Sequence, residues 1–139
     1  MSDPTPAPAA GYVRFQGTTP HARGHLPGIF ALVNGLARDG RLSPEQERFR
    51  RANNDWYDGA YPEPSSVDPT VYDHAVNPGA VAWFKAGSTE LIERVPGYLE
   101  ILAAHGVECL EVRSENAPGR IVYEDAWQVV VVPHHPDAP

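Results

Sequence analysis

Cysteine is nearly absent from this 139-residue chain, and so are long apolar runs. The single cysteine, Cys109, excludes an internal disulfide and a metal site built from cysteines. No segment approaches the ~18 consecutive apolar residues of a membrane span. The opening MSDPTPAPAAG lacks the basic start and the apolar stretch of a signal peptide. We therefore expect a cytoplasmic protein that has no membrane partner.

Basic residues are also scarce, with 11 Lys and Arg against 18 Asp and Glu and a net charge of −7. Such a charge disfavours binding to a phosphate backbone, so we do not expect nucleic acid as a partner. The sequence contains no GxxxxGK, GxGxxG, HExxH or GxSxG pattern. Their absence removes the common nucleotide-binding, zinc-protease and hydrolase classes and leaves other enzymes open.

Two pairs of residues have the spacing of a metal or thiol site. His21 and His25 lie four residues apart, but they lie in a loop where that spacing imposes no geometry, and no third ligand is identified. Cys109 follows His105, but it falls within a predicted strand, where a free cysteine usually serves packing. We expect no metal site, no cofactor and no catalytic thiol.

The chain length fits one compact domain with its own core. Proline and alanine dominate residues 2–10, and PHHPDAP at the other end is similar, which is typical of weakly ordered tails. The sequence therefore predicts a disordered tail at 1–10, a single domain at 11–133 and a C-terminal tail at 134–139.

Helix signals mark residues 27–40, a segment that begins at Pro44, and residues 88–105. Ser43 and Gln46 form a capping box at the start of the second helix. Ser88 is the expected cap of the third helix, and Pro96 should kink or split it. The prolines of residues 61–69 predict a crossing loop or a lid without regular structure.

β signals mark residues 11–17, 80–85, 107–113, RIVYE (120–124) and WQVVVV (127–132). Residues 80–85 also fit the start of a helix, and we favour the strand. Asp125 and Ala126 predict a tight hairpin, and the valines after them predict an interior strand. The order of elements predicts an α+β two-layer sandwich, in which a mainly antiparallel sheet of four to five strands carries helices on one face.

Polar side chains on the first strand form the first of three groups that we interpret as one site. If Val13 and Phe15 face the helices, Arg14 and Gln16 lie on the other face. A guanidinium there can bind a carboxylate or phosphate. An ordinary exposed strand face explains the same alternation.

The stretch RRANNDWYDGAYPEP concentrates amides and rings at the end of the second helix. We expect Asn53, Asn54, Trp56 and Tyr57 to contact a ligand under the Pro-rich segment, and a structural clamp at the helix end is the alternative. Asn53 lies within the apolar stripe of the helix, so its amide either holds a loop or faces a cavity.

The last hairpin supplies the third group. Asp125 is a residue that tight turns favour, whereas the turn does not require an acid at Glu124 or a ring at Trp127. An acid beside an aromatic ring can have a raised pKa suited to acid–base work. We expect Glu124 and Arg14 to be catalytic, and Gln16 and Trp127 to contact the ligand.

Together these residues predict a small cytoplasmic enzyme or ligand-binding domain that acts on a polar, anionic small molecule, such as a nucleotide or sugar derivative. The alternative is a non-catalytic interaction or regulatory domain, whose rings meet a protein partner or a second copy of the chain. A concave arrangement of Trp56, Tyr57 and Tyr61 favours the first interpretation, and a flat exposed patch favours the second.

Overall fold

A five-stranded antiparallel sheet organises the chain, in a computed structural model that describes residues 11–20 and 26–133. The spatial order of its strands is β3-β1-β2-β5-β4, where the strands are β1 (Tyr12–Gly17), β2 (Val81–Lys85), β3 (Cys109–Ser114), β4 (Arg120–Glu124) and β5 (Gln128–Val132). The predicted α+β class is confirmed, as is the antiparallel sheet. The strand interpretation of residues 80–85 is also correct, and β5 is an interior strand.

The helices are α1 (Ile29–Arg38), α2 (Pro44–Ala60), α3 (Pro64–Val67), α4 (Thr89–Glu93) and α5 (Pro96–Ala104). The predicted capping box is present, because the Ser43 hydroxyl accepts from the Gln46 amide and the Gln46 side chain accepts from the Ser43 amide. Pro96 begins α5 after a break, as a residue without an amide hydrogen should.

One local prediction is wrong, and another is correct only in position. Residues 61–69 contain the short helix α3, because Pro64 occupies a first turn that needs no amide donor and the Glu63 carboxylate accepts from the Ser65 amide at 2.9 Å. Ser88 is at the N-cap position of α4, as predicted, and its carbonyl accepts from the Leu91 and Ile92 amides, but its side chain makes no capping hydrogen bond. Its hydroxyl donates instead to the Trp127 carbonyl at 2.9 Å, so a contact across the fold displaces the local cap.

The main core contains residues of α1, α2, α4 and α5 together with Val13, Phe15 and Phe84 of the sheet. Its aromatic rings meet edge to face, with the Phe30 ring centroid 4.9 Å from that of Tyr57 and 5.2 Å from that of Tyr98. A second, smaller cluster lies on the alternate residues of the strands and contains Trp83, Val129 and Val131. Residues of α1, α2, α4 and α5 thus share one core with Val13 and Phe15 of β1.

The sheet has a gap between β1 and β2, and the candidate site described below lies beside it. β1 pairs with β3 along its whole length, but it pairs with β2 only at Tyr12 and Val13. Further along β1, the segment before α1 takes the place of β2, since Gln16 bridges Gly28 and the Gly17 amide donates to the Pro27 carbonyl at 2.8 Å. Arg14 and Phe15 therefore lie where one edge of β1 has no strand partner.

Residues 1–10 and 134–139, which were predicted to be tails, lie outside the described part of the chain, and so do His21 and His25. Within residues 11–20 and 26–133, no helix combines the length and the apolar composition needed to cross a membrane.

Candidate ligand-binding cavity

A cavity of about 540 Å³ opens beside the gap in the sheet. β1 and β2 form its floor, the first turn of α1 and the last turns of α2 form one side, and residues 61–72 form another. Rings supply much of the lining, namely Phe15, Phe30, Tyr57, Tyr61, Tyr72, Trp83 and Phe84. Its polar side chains are Arg14, Asn34, Asn54, Asp58, Glu63 and Gln128.

Arg14 is the buried charge of this cavity, and only 8% of its surface is exposed. Its guanidinium donates to the carbonyls of Ala82 and Leu26, each at 2.8 Å, and to the Gln16 side chain at 3.0 Å. It forms no ion pair with any carboxylate in the described residues, and the intervening residues 21–25 contain no acid. Burial lowers the pKa of Arg14 to about 10, so the group stays charged at neutral pH.

Three tyrosines line the cavity beside Arg14, and each keeps its phenol neutral. Burial raises the pKa of Tyr57, Tyr61 and Tyr72 above the ordinary value of 10.0. Tyr72 is the most exposed of the three, with 39% of its surface accessible. The Tyr57 hydroxyl donates to the Leu91 carbonyl at 2.6 Å, which holds this ring in place.

A chain of amide contacts fixes the side of the cavity formed by α1 and α2. The Asn34 side-chain oxygen accepts from Arg50 and from Asn54, both at 3.1 Å. The Asn54 oxygen in turn accepts from the Tyr98 hydroxyl at 2.7 Å. Asn34 and Asn54 are thus held in defined orientations at the cavity wall.

Two exposed carboxylates also belong to the lining. Asp58 lies in the last turn of α2, and Glu63 lies just beyond that helix. Neither forms an ion pair with a basic residue in the part of the chain that the structure describes. One Glu63 oxygen accepts from Ser65, which leaves the other oxygen available.

The structure brings three of the predicted site residues to the cavity, namely Arg14, Asn54 and Tyr57. Gln16 is adjacent to it, because its side-chain oxygen accepts from Arg14. Asn53 does not line the cavity: its amide donates to the carbonyl of Phe49 at 2.9 Å and its oxygen accepts from Arg94 at 3.1 Å. The amide of Asn53 therefore bonds within α2 and to Arg94 at the end of α4, and it does not face the cavity.

The other three predicted residues lie elsewhere. The Arg94 guanidinium covers the Trp56 ring at 3.9 Å, which makes Trp56 part of a surface contact. Glu124 forms an ion pair with Lys85 at 2.7 Å and does not line the cavity. Trp127 is 37% exposed at the hairpin turn. Glu124 and Arg14, which we expected to act together, are therefore not brought together.

Sequence reasoning missed Asp58, Glu63, Tyr72 and Gln128 as lining residues, and it named Tyr61 only as a possible member of a concave group of rings. Asp58 and Glu63 lie within the polar stretch at the end of α2, so a broader interpretation of that stretch would have included them. A lone amide within the valine-rich β5 was a signal for Gln128. Its side chain donates to the Pro62 carbonyl at 2.9 Å and so ties residues 61–72 to the last hairpin. Tyr72 had no signal in the sequence.

Metal and thiol chemistry have little support in the described residues. No group of three or more His, Cys, Asp or Glu side chains there is placed to hold a metal ion. Cys109 is half-buried on β3, and burial raises the pKa of its thiol. A raised pKa keeps the thiol protonated and weakly nucleophilic.

No protein-family model, curated protein or solved structure matches this chain. Its chemistry has therefore to be inferred from its own side chains.

Proposed function

We propose that the chain is a binding domain for a small organic anion. The acidic group of the ligand pairs with Arg14, and the rest of the ligand lies among the rings of the cavity. The observation that carries this proposal is a buried guanidinium that lines a cavity and has no carboxylate partner in the described residues.

The energetic reason is that a buried charge is costly unless an opposite charge and hydrogen bonds compensate it. The contacts to Ala82, Leu26 and Gln16 supply only neutral acceptors. A carboxylate or phosphate supplies the missing charge and accepts from the remaining N–H groups of Arg14. Hydrogen bonds to charged groups contribute ~1.5–3 kcal/mol each, which is enough to orient a small ligand.

The shape of the site also supports a small ligand over a protein partner. Its volume of about 540 Å³ is typical of ligand sites, and Tyr57 and Tyr61 line a concavity. Trp56, which an interaction surface would present, is covered by Arg94. We propose binding and not catalysis, because Glu124 is paired with Lys85 away from the cavity.

The proposal is tested by filling the cavity without touching Arg14. Ala31 is an exposed residue of α1 that lines the cavity, and Ala103 is an exposed alanine of α5 that does not. Ala31→Trp should abolish the binding of para-toluate and phenyl phosphate, measured by isothermal titration calorimetry, because the new ring occupies the ligand volume. Ala103→Trp is the matched control and should bind like the original chain.

Native mass spectrometry of the purified protein provides a second measurement, since a retained small acid should disappear from Ala31→Trp and remain on Ala103→Trp. If neither probe binds the original chain and no retained acid is seen, the proposed function is wrong. Equal binding by both tryptophan variants would place the anion outside this cavity and would have the same consequence.

A further inference from the structure

We infer that the ligand is a zwitterion, an amino-acid-like molecule whose acidic group binds Arg14 and whose ammonium group binds the carboxylates of Asp58 and Glu63. This inference rests on the proposed function and extends it to a chemical class of ligand. A hydrocarbon or aromatic spacer between the two charged groups fits the rings that line the cavity.

The balance of charge in the cavity is the first argument. Arg14 is the one basic residue among the described lining residues, whereas Asp58 and Glu63 are both acidic. A ligand with negative charge alone would compensate Arg14 and repel the two carboxylates in the same cavity. A ligand that also carries an ammonium group compensates both signs.

The placement of Asp58 is the second argument, because helix stability does not explain it. Asp58 lies in the last turn of α2, where the helix dipole disfavours a negative charge, and no basic residue accompanies it there. An acid in that position lowers the stability of the helix, as residues kept for binding often do.

A second side-chain donor of the cavity lining has no partner in the described residues. Trp83 lines the cavity and is 8% exposed, and its indole N–H is buried without an acceptor in the described residues. Trp83 follows Ala82, whose carbonyl accepts from Arg14. Arg14 and Trp83 are thus side-chain donors on neighbouring strands of the cavity floor, and both suit an anionic acceptor.

Tyrosine rings lie between Arg14 and the two carboxylates of the cavity. Besides burial, Glu63 raises the pKa of Tyr72 and Arg14 lowers it, so Tyr72 feels both ends of the site. Asp58 is among the groups that raise the pKa of Tyr61 after burial does, which places that ring near the second acid. The face of a phenol ring attracts an ammonium group and so supports the cationic end.

Three probes with the same ring separate these contributions: para-aminomethylbenzoate, para-toluate and para-methylbenzylamine. The first carries both charged groups, the second only the acid and the third only the amine. Isothermal titration calorimetry on the full chain should show that the zwitterion binds about tenfold more tightly than para-toluate. A factor of about ten corresponds to the free energy that two exposed ion pairs contribute together. The amine alone should bind most weakly because it leaves Arg14 unpaired.

Asp58→Asn and Glu63→Gln should each reduce this preference by about threefold, and each should increase the affinity for para-toluate because a carboxylate that repels the anion is removed. Asp55→Asn is the matched control, since Asp55 is an exposed acid of α2 that does not line the cavity. It should leave the preference intact, which excludes an effect of net charge.

The two proposals fail in different ways. Equal binding of the zwitterion and para-toluate, or a preference that survives Asp58→Asn combined with Glu63→Gln, overturns the zwitterion and leaves the anion site standing. Absence of binding by both acids to the original chain, or binding that Ala31→Trp leaves unchanged, overturns the anion site and the zwitterion together.

Discussion

Arg14 donates to the backbone carbonyl of Ala82 at 2.8 Å, across a separation of 68 residues in the chain. The contact lies just beyond the point where β1 and β2 stop pairing, and the same guanidinium also donates to Leu26 in the segment that replaces β2. One side chain therefore holds both sides of a gap in the sheet. The same side chain lines the cavity, so its structural and binding roles have to be separated by experiment.

Arg14→Lys tests the structural role. Lysine keeps the charge, but its three N–H donors radiate from one nitrogen and cannot span the acceptors that Nε, Nη1 and Nη2 of Arg14 reach separately. Each buried acceptor left without a partner costs ~1–3 kcal/mol, so the free energy of unfolding in urea should fall by at least that amount. Arg51→Lys is the control, because Arg51 is a largely exposed partner of Glu47 and should change stability by less than ~1 kcal/mol. Equal effects of the two substitutions would contradict the importance of the gap contacts.

Tyr57→Phe isolates a single buried hydrogen bond. The Tyr57 hydroxyl donates to the Leu91 carbonyl at 2.6 Å, and its removal leaves that carbonyl unpaired inside the core. We expect the free energy of unfolding to fall by ~1–3 kcal/mol. Tyr123→Phe removes a hydroxyl that donates to Asp125 at the hairpin, where water can replace it, and should cost less. A larger loss from Tyr123→Phe would show that the hairpin matters more than the contact between α2 and α4.

Gly97→Ala tests the close approach of α5 to α2. A Cβ atom on Gly97 would overlap the ring of Phe49, so the substitution should lower the free energy of unfolding by ~1–3 kcal/mol through overpacking. Gly59 is the control, since it lies within α2 and a Cβ there meets open space. Gly59→Ala should raise stability by ~0.5–1 kcal/mol, because alanine is the better helix former. Thermal melts of the pair should therefore shift in opposite directions.

Stability should fall above pH 10 because of the buried tyrosines. Burial raises the pKa of Tyr57, Tyr61 and Tyr98 above the ordinary value of 10.0. Below pH 10.0 these phenols keep their protons in both states and contribute no pH dependence. Above it the unfolded chain loses protons that the folded chain retains, so unfolding becomes more favourable as pH rises. Phenolate absorbance should appear together with loss of circular dichroism, and phenolate formation in a still folded chain would contradict this prediction.

Local signals were sufficient for most of the secondary structure. The capping box of Ser43 and Gln46 and the break at Pro96 depend on atoms within a few residues of one another, and both are present as predicted. The valine run of β5 predicted an interior strand, because successive side chains point to opposite faces and a continuous apolar run therefore indicates burial on both faces; β5 does lie between β2 and β4. The α+β class followed from the order of these elements.

The position and the lining of the cavity depend on the tertiary structure and not on any local sequence pattern. Alternation in β1 indicated the face of Arg14, but its burial depends on the gap between β1 and β2, which no local pattern encodes. The Ser88 hydroxyl donates to the Trp127 carbonyl instead of capping α4, and Glu124 pairs with Lys85. In both cases residues distant in sequence become neighbours on folding. Tyr72 reached the cavity for the same reason. Hydrogen bonds within a turn depend on adjacent residues, whereas the partners of a buried side chain depend on strand order and packing, which are properties of the whole chain.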